Sequence, residues 1–247
     1  MFLDLKAPAF WHKEMMEGCY DSFIYDVLGG LMPIRGATVW DVGAHIGYHS
    51  LAFAALVGPS GRVVAFEPNP HNVDRLRQHL ERNTDLEERI VLMTCALGNV
   101  EGEEDFVFSP EIDNGRSSGS HLGQAFVPEE PEVYQSFGRK RVPVATADTL
   151  LRDRRVPAPS IIKIDVEGAE SLVLVGAQNL LGSLKPVLLI EVHHITAMHD
   201  VLNILLRQGY HTSIVNDAPN SSSRCFIVAQ PEACHPLNSA GTNENAQ

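Results

Sequence analysis

Short apolar runs alternate with helix-patterned segments along most of this chain, and four of the five principal runs have a carboxylate at or next to their carboxyl end. The runs are Ala37–Val42, Arg62–Phe66, Arg89–Cys95, Ser160–Asp165 and Val187–Glu191. Each is bounded by glycine, proline or charge, as a strand buried on both faces requires. Helical segments lie between them. Ser50–Val57 is ended by Gly58-Pro59, and Asn69-Pro70 supplies an N-cap and a first-turn proline ahead of Val73, Leu76 and Leu80. Ala147–Arg154, Glu170–Leu181 and His199–Gln208 complete the set. This order predicts an α/β domain with a Rossmann-like, doubly wound, mostly parallel sheet. The last two strands, His211–Val215 and Arg224–Ala229, have only residues 216–223 between them. That is too short for a crossover helix, so the final strand is expected to enter antiparallel.

The predicted domain spans 37–230. Residues 1–36 read as a helical lead-in, with a helix near Asp21–Leu31 broken by Gly29-Gly30 and Pro33. Residues 99–140, rich in Gly, Ser, Glu and Pro, interrupt the alternation between the third and fourth core strands. They read as a hairpin-like insertion with a flexible loop from Pro110 to Pro131. The segment 231–247 has few apolar residues and reads as a flexible tail.

Charge excludes one class of function. With 19 Lys and Arg against 31 Asp and Glu the formal charge is −12, and the one basic run is Arg139-Lys140-Arg141. A nucleic-acid surface would have to overcome that field, so no nucleic-acid partner is expected. No apolar stretch is long enough to span a membrane, and the start lacks a basic region followed by an apolar run. Four cysteines at 19, 95, 225 and 234 have no C-x-x-C spacing. They read as reduced thiols of a cytoplasmic protein, with no membrane partner. A homo-oligomer is left open.

In such a sheet ligands bind beyond the carboxyl ends of the strands. The residues there are Asp41, Glu67, Cys95-Ala96-Leu97, Asp165 and Glu191. The first strand runs into Asp41-Val-Gly-Ala-His-Ile-Gly-Tyr48. Gly43 and Gly47 permit close backbone approach to a ligand, and the helix behind offers free N–H groups; a tight turn without a ligand is the plainer alternative. Glu67, after the second strand, is placed to accept hydrogen bonds from a ribose diol. The third glycine of a nicotinamide-dinucleotide fingerprint is missing. An acid opening the loop would repel a pyrophosphate and suits a cation, such as the ammonium and sulfonium of S-adenosylmethionine.

Together these segments resemble the FkbM family of class I S-adenosylmethionine-dependent methyltransferases. The resemblance is carried by D-V-G-A-H-I-G-Y at 41–48, A-F-E-P-N-P at 65–70, C-A-L-G at 95–98 and G-R-S-S at 115–118. It is carried most specifically by I-I-K-I-D-V-E-G-A-E at 161–170, with V-G-A at 175–177, K-P at 185–186 and L-I-E at 189–191. It covers about residues 37–195 and departs from the family at Ala147, where a leucine is more usual. It implies a seven-stranded sheet of order 3-2-1-4-5-7-6. It further implies that Asp41, Gly43, Ala44 and His45 contact the methionine part of the cofactor, with Gly47 in the same loop. Glu67 would hold the ribose, flanked by Pro68 and Asn69, and Ala96 and Leu97 would lie along the adenine. The implied reaction is O-methylation of a hydroxyl on a sugar or natural-product acceptor.

The candidate catalytic residues are Asp165, Glu191 and His193. Adjacent fourth and fifth strands bring Asp165 and Glu191 side by side, and alternation puts His193 on the face of Glu191. An imidazole titrating near ~6.5 and oriented by a carboxylate can take the acceptor's proton. That expectation places the rise of activity at about pH 6–7. No resident metal is expected, although a mechanism in which Asp165 and Glu191 hold Mg²⁺ against the acceptor stays open. Lys163 reads either as a structural ion pair with Asp165 or as functional, and Glu167 either as an acid of the following helix's first turn or as part of the site. His45 is expected to act through its backbone, His49 to pack, and His121 to lie in a mobile loop. Two other functions compete: a non-catalytic cofactor-binding protein of this fold, and a methyltransferase for amines or nucleic acids. The second would want [DNS]-P-P-[YFW] where this chain has Asp165-Val-Glu-Gly.

Overall fold

The computed structural model describes residues 1–3, 10–108, 120–125, 138–215 and 225–232. Its main sheet has seven strands: β1 (Thr38–Val42), β2 (Arg62–Phe66), β3 (Ile90–Met93), β8 (Ile161–Ile164), β9 (Val187–Val192), β10 (Tyr210–Val215) and β11 (Cys225–Pro231). They lie in the order β3-β2-β1-β8-β9-β11-β10, the 3-2-1-4-5-7-6 arrangement expected. The five left-hand strands pair in parallel, and β11 runs antiparallel to both β9 and β10. The central strands are buried almost throughout because helices cover both faces.

Alternation along each strand separates two cores. Trp40, Val42, Phe66, Ile162, Ile164 and Ile190 fill one face. Val39, Val63, Ile161 and Leu189 fill the other, under α2 (Phe23–Leu31), α3 (Tyr48–Val57) and α4 (Pro70–Glu81). The lead-in also holds α1 (Phe10–Glu17), and α5 is Thr84–Glu87. The lead-in is part of the fold, since Ile24 and Leu28 are fully buried in the second core. That burial carries α2 through Gly29-Gly30, which were expected to break it; the helix ends at Leu31. Glycine lowers helix propensity by about 1 kcal/mol per residue, less than packing of the apolar face returns. Asn69 caps α4 by accepting from the His71 N–H at 3.1 Å, with Pro70 in the first turn, as the sequence predicts.

The insertion is a second small sheet. It contains β4 (Ala96–Leu97), β5 (Gly102–Phe108), β6 (His121–Leu122) and β7 (Gly138–Ala145), in the order β4-β7-β5-β6. The third core strand is therefore shorter than expected, because the chain leaves the main sheet after Met93. His121, expected in a mobile loop, is buried in β6 opposite Val107. The rest of the loop expected at 110–131, and the tail beyond Glu232, lie outside the described residues. After α6 (Ala147–Arg152), the helix expected over 170–181 is two pieces, α7 (Glu170–Val175) and α8 (Gln178–Ser183). The cause is a close approach at Gly176, where a Cβ would meet the Gly98 carbonyl at 1.9 Å. The last helix, α9, is Ile195–Arg207.

Candidate active site

A cavity of about 440 Å³ opens across the carboxyl ends of β1, β2, β8 and β9, closed on one side by the second sheet and on another by the lead-in. Its walls include Gly43, Ala44, His45, Phe66, Glu67, Pro68, Cys95, Ala96 and Leu97. They also include Lys163, Asp165, Glu167, Glu191 and His193. Most residues expected to bind or react are thus brought to one space.

The glycine loop owes its shape to β8. Gly43 has φ +84°, and a Cβ there would sit 1.8 Å from the Asp165 carbonyl, so no side chain is admissible. Gly47 also has positive φ, but what its missing Cβ spares is Leu76 of α4 at 2.9 Å. Gly47 is therefore a packing glycine and does not line the cavity. His45, at φ +52°, acts through its backbone as expected: its N–H donates to Glu67 Oε2 at 2.7 Å.

Glu67 is buried at the cavity wall. Its Oε1 accepts from the Asn69 N–H at 2.8 Å and from Asn72 Nδ2 at 3.3 Å. Burial is the larger influence and pushes the carboxyl up to about 7, against the pull of those donors. Asn69 itself is enclosed and off the cavity lining, so it positions Glu67.

Asp41 stands behind the wall. It is fully buried, accepts from Ser50 Oγ at 2.6 Å and lies 3.5 Å from Lys163 Nζ. Asp41 was expected to contact a cofactor; here it is engaged in this internal pair and is not part of the cavity lining. The cause is register: Asp41 is the direct neighbour of Lys163 across parallel strands, so both side chains point to one face. Lys163 also reaches Asp165 Oδ2 at 3.3 Å, which makes the structural ion pair the better account of it. Burial opposes its charge, but Asp165, Asp41 and Glu191 together hold the ammonium protonated above its ordinary range.

His193 is surrounded by acids. Its Nδ1 lies 2.7 Å from Glu170 Oε1, and its Nε2 lies 3.3 Å from Glu167, 3.7 Å from Asp165 and 3.8 Å from Glu191. Burial works against charge on the ring, yet the Glu170 bond followed by Glu167, Asp165 and Glu191 outweighs it and lifts the imidazole to about 10. The expectation was a free base titrating near 6.5; the surrounding acids instead favour the charged form of the ring. Glu167 joins the site from a left-handed backbone position, φ +52°.

Several lining residues were not anticipated. Glu14, Met15 and Tyr20 come from the lead-in, and Tyr48 and His49 from the first turn of α3. His49, expected only to pack, bonds Tyr25 Oη through Nδ1 at 2.8 Å and faces Asp21 at 3.8 Å. Glu170 was expected only as the start of a helix. Its alignment with His193 depends on the turn Val166–Ala169, which no periodicity encodes.

A seven-stranded sheet of this order, with its ligand cavity at the carboxyl ends of the parallel strands, is the fold of the class I methyltransferases. The chain belongs to the FkbM methyltransferase family: the Methyltransferase FkbM domain matches residues 41–212. It is 30% identical over 176 residues to the hexuronic acid methyltransferase AglP of Haloferax volcanii, covering 71% of this chain and 64% of that protein. The crystal structure of methyltransferase FkbM from Methylobacillus flagellatus is 26% identical, with TM-score 0.57, over 81% of this chain and 45% of that one. Aeropyrum pernix fibrillarin, solved with natively bound S-adenosyl-L-methionine, shares the fold at 15% identity and TM-score 0.51, over 84% of this chain and 73% of its own. The chain thus spans less than two thirds of the length of AglP and less than half of the FkbM structure. Among the described residues no helix is long and apolar enough to cross a membrane.

Proposed function

We propose that the protein transfers the methyl group of S-adenosylmethionine to a hydroxyl oxygen of a small molecule, a sugar or natural product. The observation that carries the reading is that Glu67 and the Gly43–His45 backbone share one cavity with Asp165, Glu191 and His193. The residues present suit the cofactor. Glu67 Oε2 accepts from the His45 N–H and keeps a lone pair for a ribose hydroxyl, while Oε1 already accepts from Asn69 and Asn72. Phe66, Ala96 and Leu97 offer an apolar wall for the adenine. The acids of the cavity wall, Asp165, Glu167 and Glu191, suit a sulfonium. When bound, the cofactor supplies an electrophilic methyl group.

The chain's own task is to hold the acceptor oxygen and take its proton. In the ligand-free protein His193 is charged, so its Nε2–H donates to that oxygen, while Asp165 alongside receives the proton. A formal charge of −12 supports a small-molecule acceptor over a nucleic acid. A uronic acid is the first acceptor to try, because the relative from Haloferax volcanii is named for one.

The test is calorimetric titration with S-adenosylhomocysteine, followed by transfer of labelled methyl from S-adenosylmethionine to hydroxylated sugars and uronic acids. Alkali-stable label in the product marks an ether, as O-methylation of a hydroxyl requires; alkali-labile label marks an ester. Absence of binding at millimolar ligand rejects the reading. Binding without transfer to any acceptor favours a non-catalytic cofactor-binding protein.

A further inference from the structure

Five carboxylates crowd the acceptor end of the cavity: Asp41, Asp165, Glu167, Glu170 and Glu191. Among the described residues the Lys163 ammonium and the His193 ring stand against them. Glu170 is fully enclosed. Its Oε1 is committed to His193 Nδ1 and the Gly168 N–H, while its Oε2 has no hydrogen-bond partner among the described residues. A buried carboxylate oxygen left this way is costly unless positive charge stands nearby.

We infer that Asp165, Glu167 and His193 form a binding site for one divalent cation of the first transition series, Mn²⁺ or its like. The three offer one ligand atom each, all within 4.8 Å of one another. Ligand atoms on an octahedron with bonds of ~2.1 Å are ~3.0 Å apart on adjacent corners and ~4.2 Å on opposite ones. His193 Nε2 lies 3.3 Å from Glu167 Oε2 and 3.7 Å from Asp165 Oδ1, between those limits.

Glu170 supplies a separate indication. A carboxylate only accepts, so the 2.7 Å bond fixes the proton on Nδ1 and leaves Nε2 to face the other two ligands. A carboxylate behind a histidine in this way is the usual outer support of a metal-bound imidazole. Oxygen ligands with one imidazole suit Mn²⁺ or Zn²⁺ better than Mg²⁺, and offer no thiolate for softer ions. Glu191 adds negative charge 3.8 Å from the same nitrogen. Asp165 and Glu167 are partly exposed to the cavity, so the remaining positions face the space where an acceptor would enter. The role of the ion rests on the methyltransferase reading: with the ion bound, His193 Nε2 is a ligand and no longer a donor, and the ion in its place would hold an acceptor oxygen and make its O–H more acidic. The ion site itself does not depend on that reading.

The test uses the full chain with Mn²⁺ alone, following loss of the free-ion electron paramagnetic resonance signal, without cofactor or acceptor. One Mn²⁺ per chain is expected to bind. Glu167→Gln and Asp165→Asn should each abolish saturable binding or weaken it by at least about 10-fold, and Glu170→Gln should weaken it roughly 10–100-fold. Circular dichroism checks folding, and Glu167, the most exposed of the three ligands, gives the variant that tests the site if Asp165→Asn fails to fold. No saturable Mn²⁺ binding, or binding unchanged in Glu167→Gln, overturns the proposal and leaves the imidazolium as the counter-charge. S-adenosylhomocysteine titrated into a separate sample keeps the two readings apart: Mn²⁺ binding without it would reject the methyltransferase reading and leave the ion site standing.

Discussion

Lys163 Nζ lies 3.5 Å from Asp41 Oδ1, and neither side chain has appreciable contact with solvent. Asp41 Oδ1 accepts no hydrogen bond among the described residues and faces the ammonium, while Oδ2 accepts from Ser50 Oγ. Removing the ammonium leaves the Asp41 carboxylate buried and uncompensated, which costs about 3–5 kcal/mol, whereas removing Asp41 leaves Lys163 its contact with Asp165 at 3.3 Å. Lys163→Met should lower the urea midpoint by that equivalent with an unchanged slope, and Asp41→Asn should lower it by less. An exposed pair such as Lys13–Glu17, 3.9 Å apart, should contribute no more than about 1 kcal/mol. If Asp41→Asn leaves stability intact but abolishes cofactor binding, Asp41 touches the cofactor after all.

Glu67 sets a pH dependence of opposite sense to that of most carboxylates. Burial lifts it from 4.5 to about 7, so the folded protein holds the proton that the unfolded chain has already released. Its contribution is fully present below pH ~4.5 and declines as pH rises to ~7, by on the order of 3 kcal/mol. Denaturation at a series of pH values should show that decline in the wild type and its loss in Glu67→Gln. Cofactor affinity should run the other way. An ionised Glu67 accepts better from a ribose diol, so S-adenosylhomocysteine should bind more tightly at pH 8 than at pH 6. Glu67→Gln should weaken binding roughly 10–100-fold at pH 8.

The two glycines of the first loop should separate in experiment. An alanine Cβ at Gly43 would meet backbone, the Asp165 carbonyl at 1.8 Å, which cannot retreat without moving β8. At Gly47 it would meet the Leu76 side chain at 2.9 Å, which can adjust. Both carry the strain of positive φ. Gly43→Ala should therefore lose cofactor binding and more than about 3 kcal/mol of stability, while Gly47→Ala should cost about 1–3 kcal/mol and keep binding. Calorimetry and urea unfolding on both variants decide it.

The alternation of strands and helices and the gathering of Glu67, Asp165, Glu191 and His193 were legible from apolar runs, a carboxylate at four of the five strand ends, and alternation carrying His193 to the side of Glu191, while the strand order came from the resemblance to the FkbM family. What was not legible depends on register and distant packing. Alternation along β1 does not say what faces Asp41; its pairing with Lys163 needs the register of β8. Tyr20 and Met15 sit in a lead-in with no motif, and they reach the cavity only because Ile24 and Leu28 anchor α2 on the sheet. His121 looked like loop because its strand is two residues long and exists through pairing with β5. The charge state of His193 escaped the sequence for the same reason: Glu167 and Glu170 meet the ring only after the chain turns between β8 and α7.

His193 gives the sharpest kinetic prediction. If it holds the acceptor oxygen as argued, His193→Ala should lower kcat roughly 10²–10⁴-fold while S-adenosylhomocysteine affinity stays within about twofold, because the ring's close partners are Glu170, Glu167, Asp165 and Glu191 and not Glu67. The wild-type profile should lack the step at pH 6–7 that a free imidazole base would give, since the surrounding acids hold the ring charged to about 10. Glu170→Gln removes the closest of those charges and should bring the ring's titration down toward neutral pH, visible as a shift of the His193 imidazole resonance in a pH-titrated NMR spectrum. A wild-type profile that rises through pH 6–7 and flattens in His193→Ala would restore the imidazole as the base and reject the charged ring.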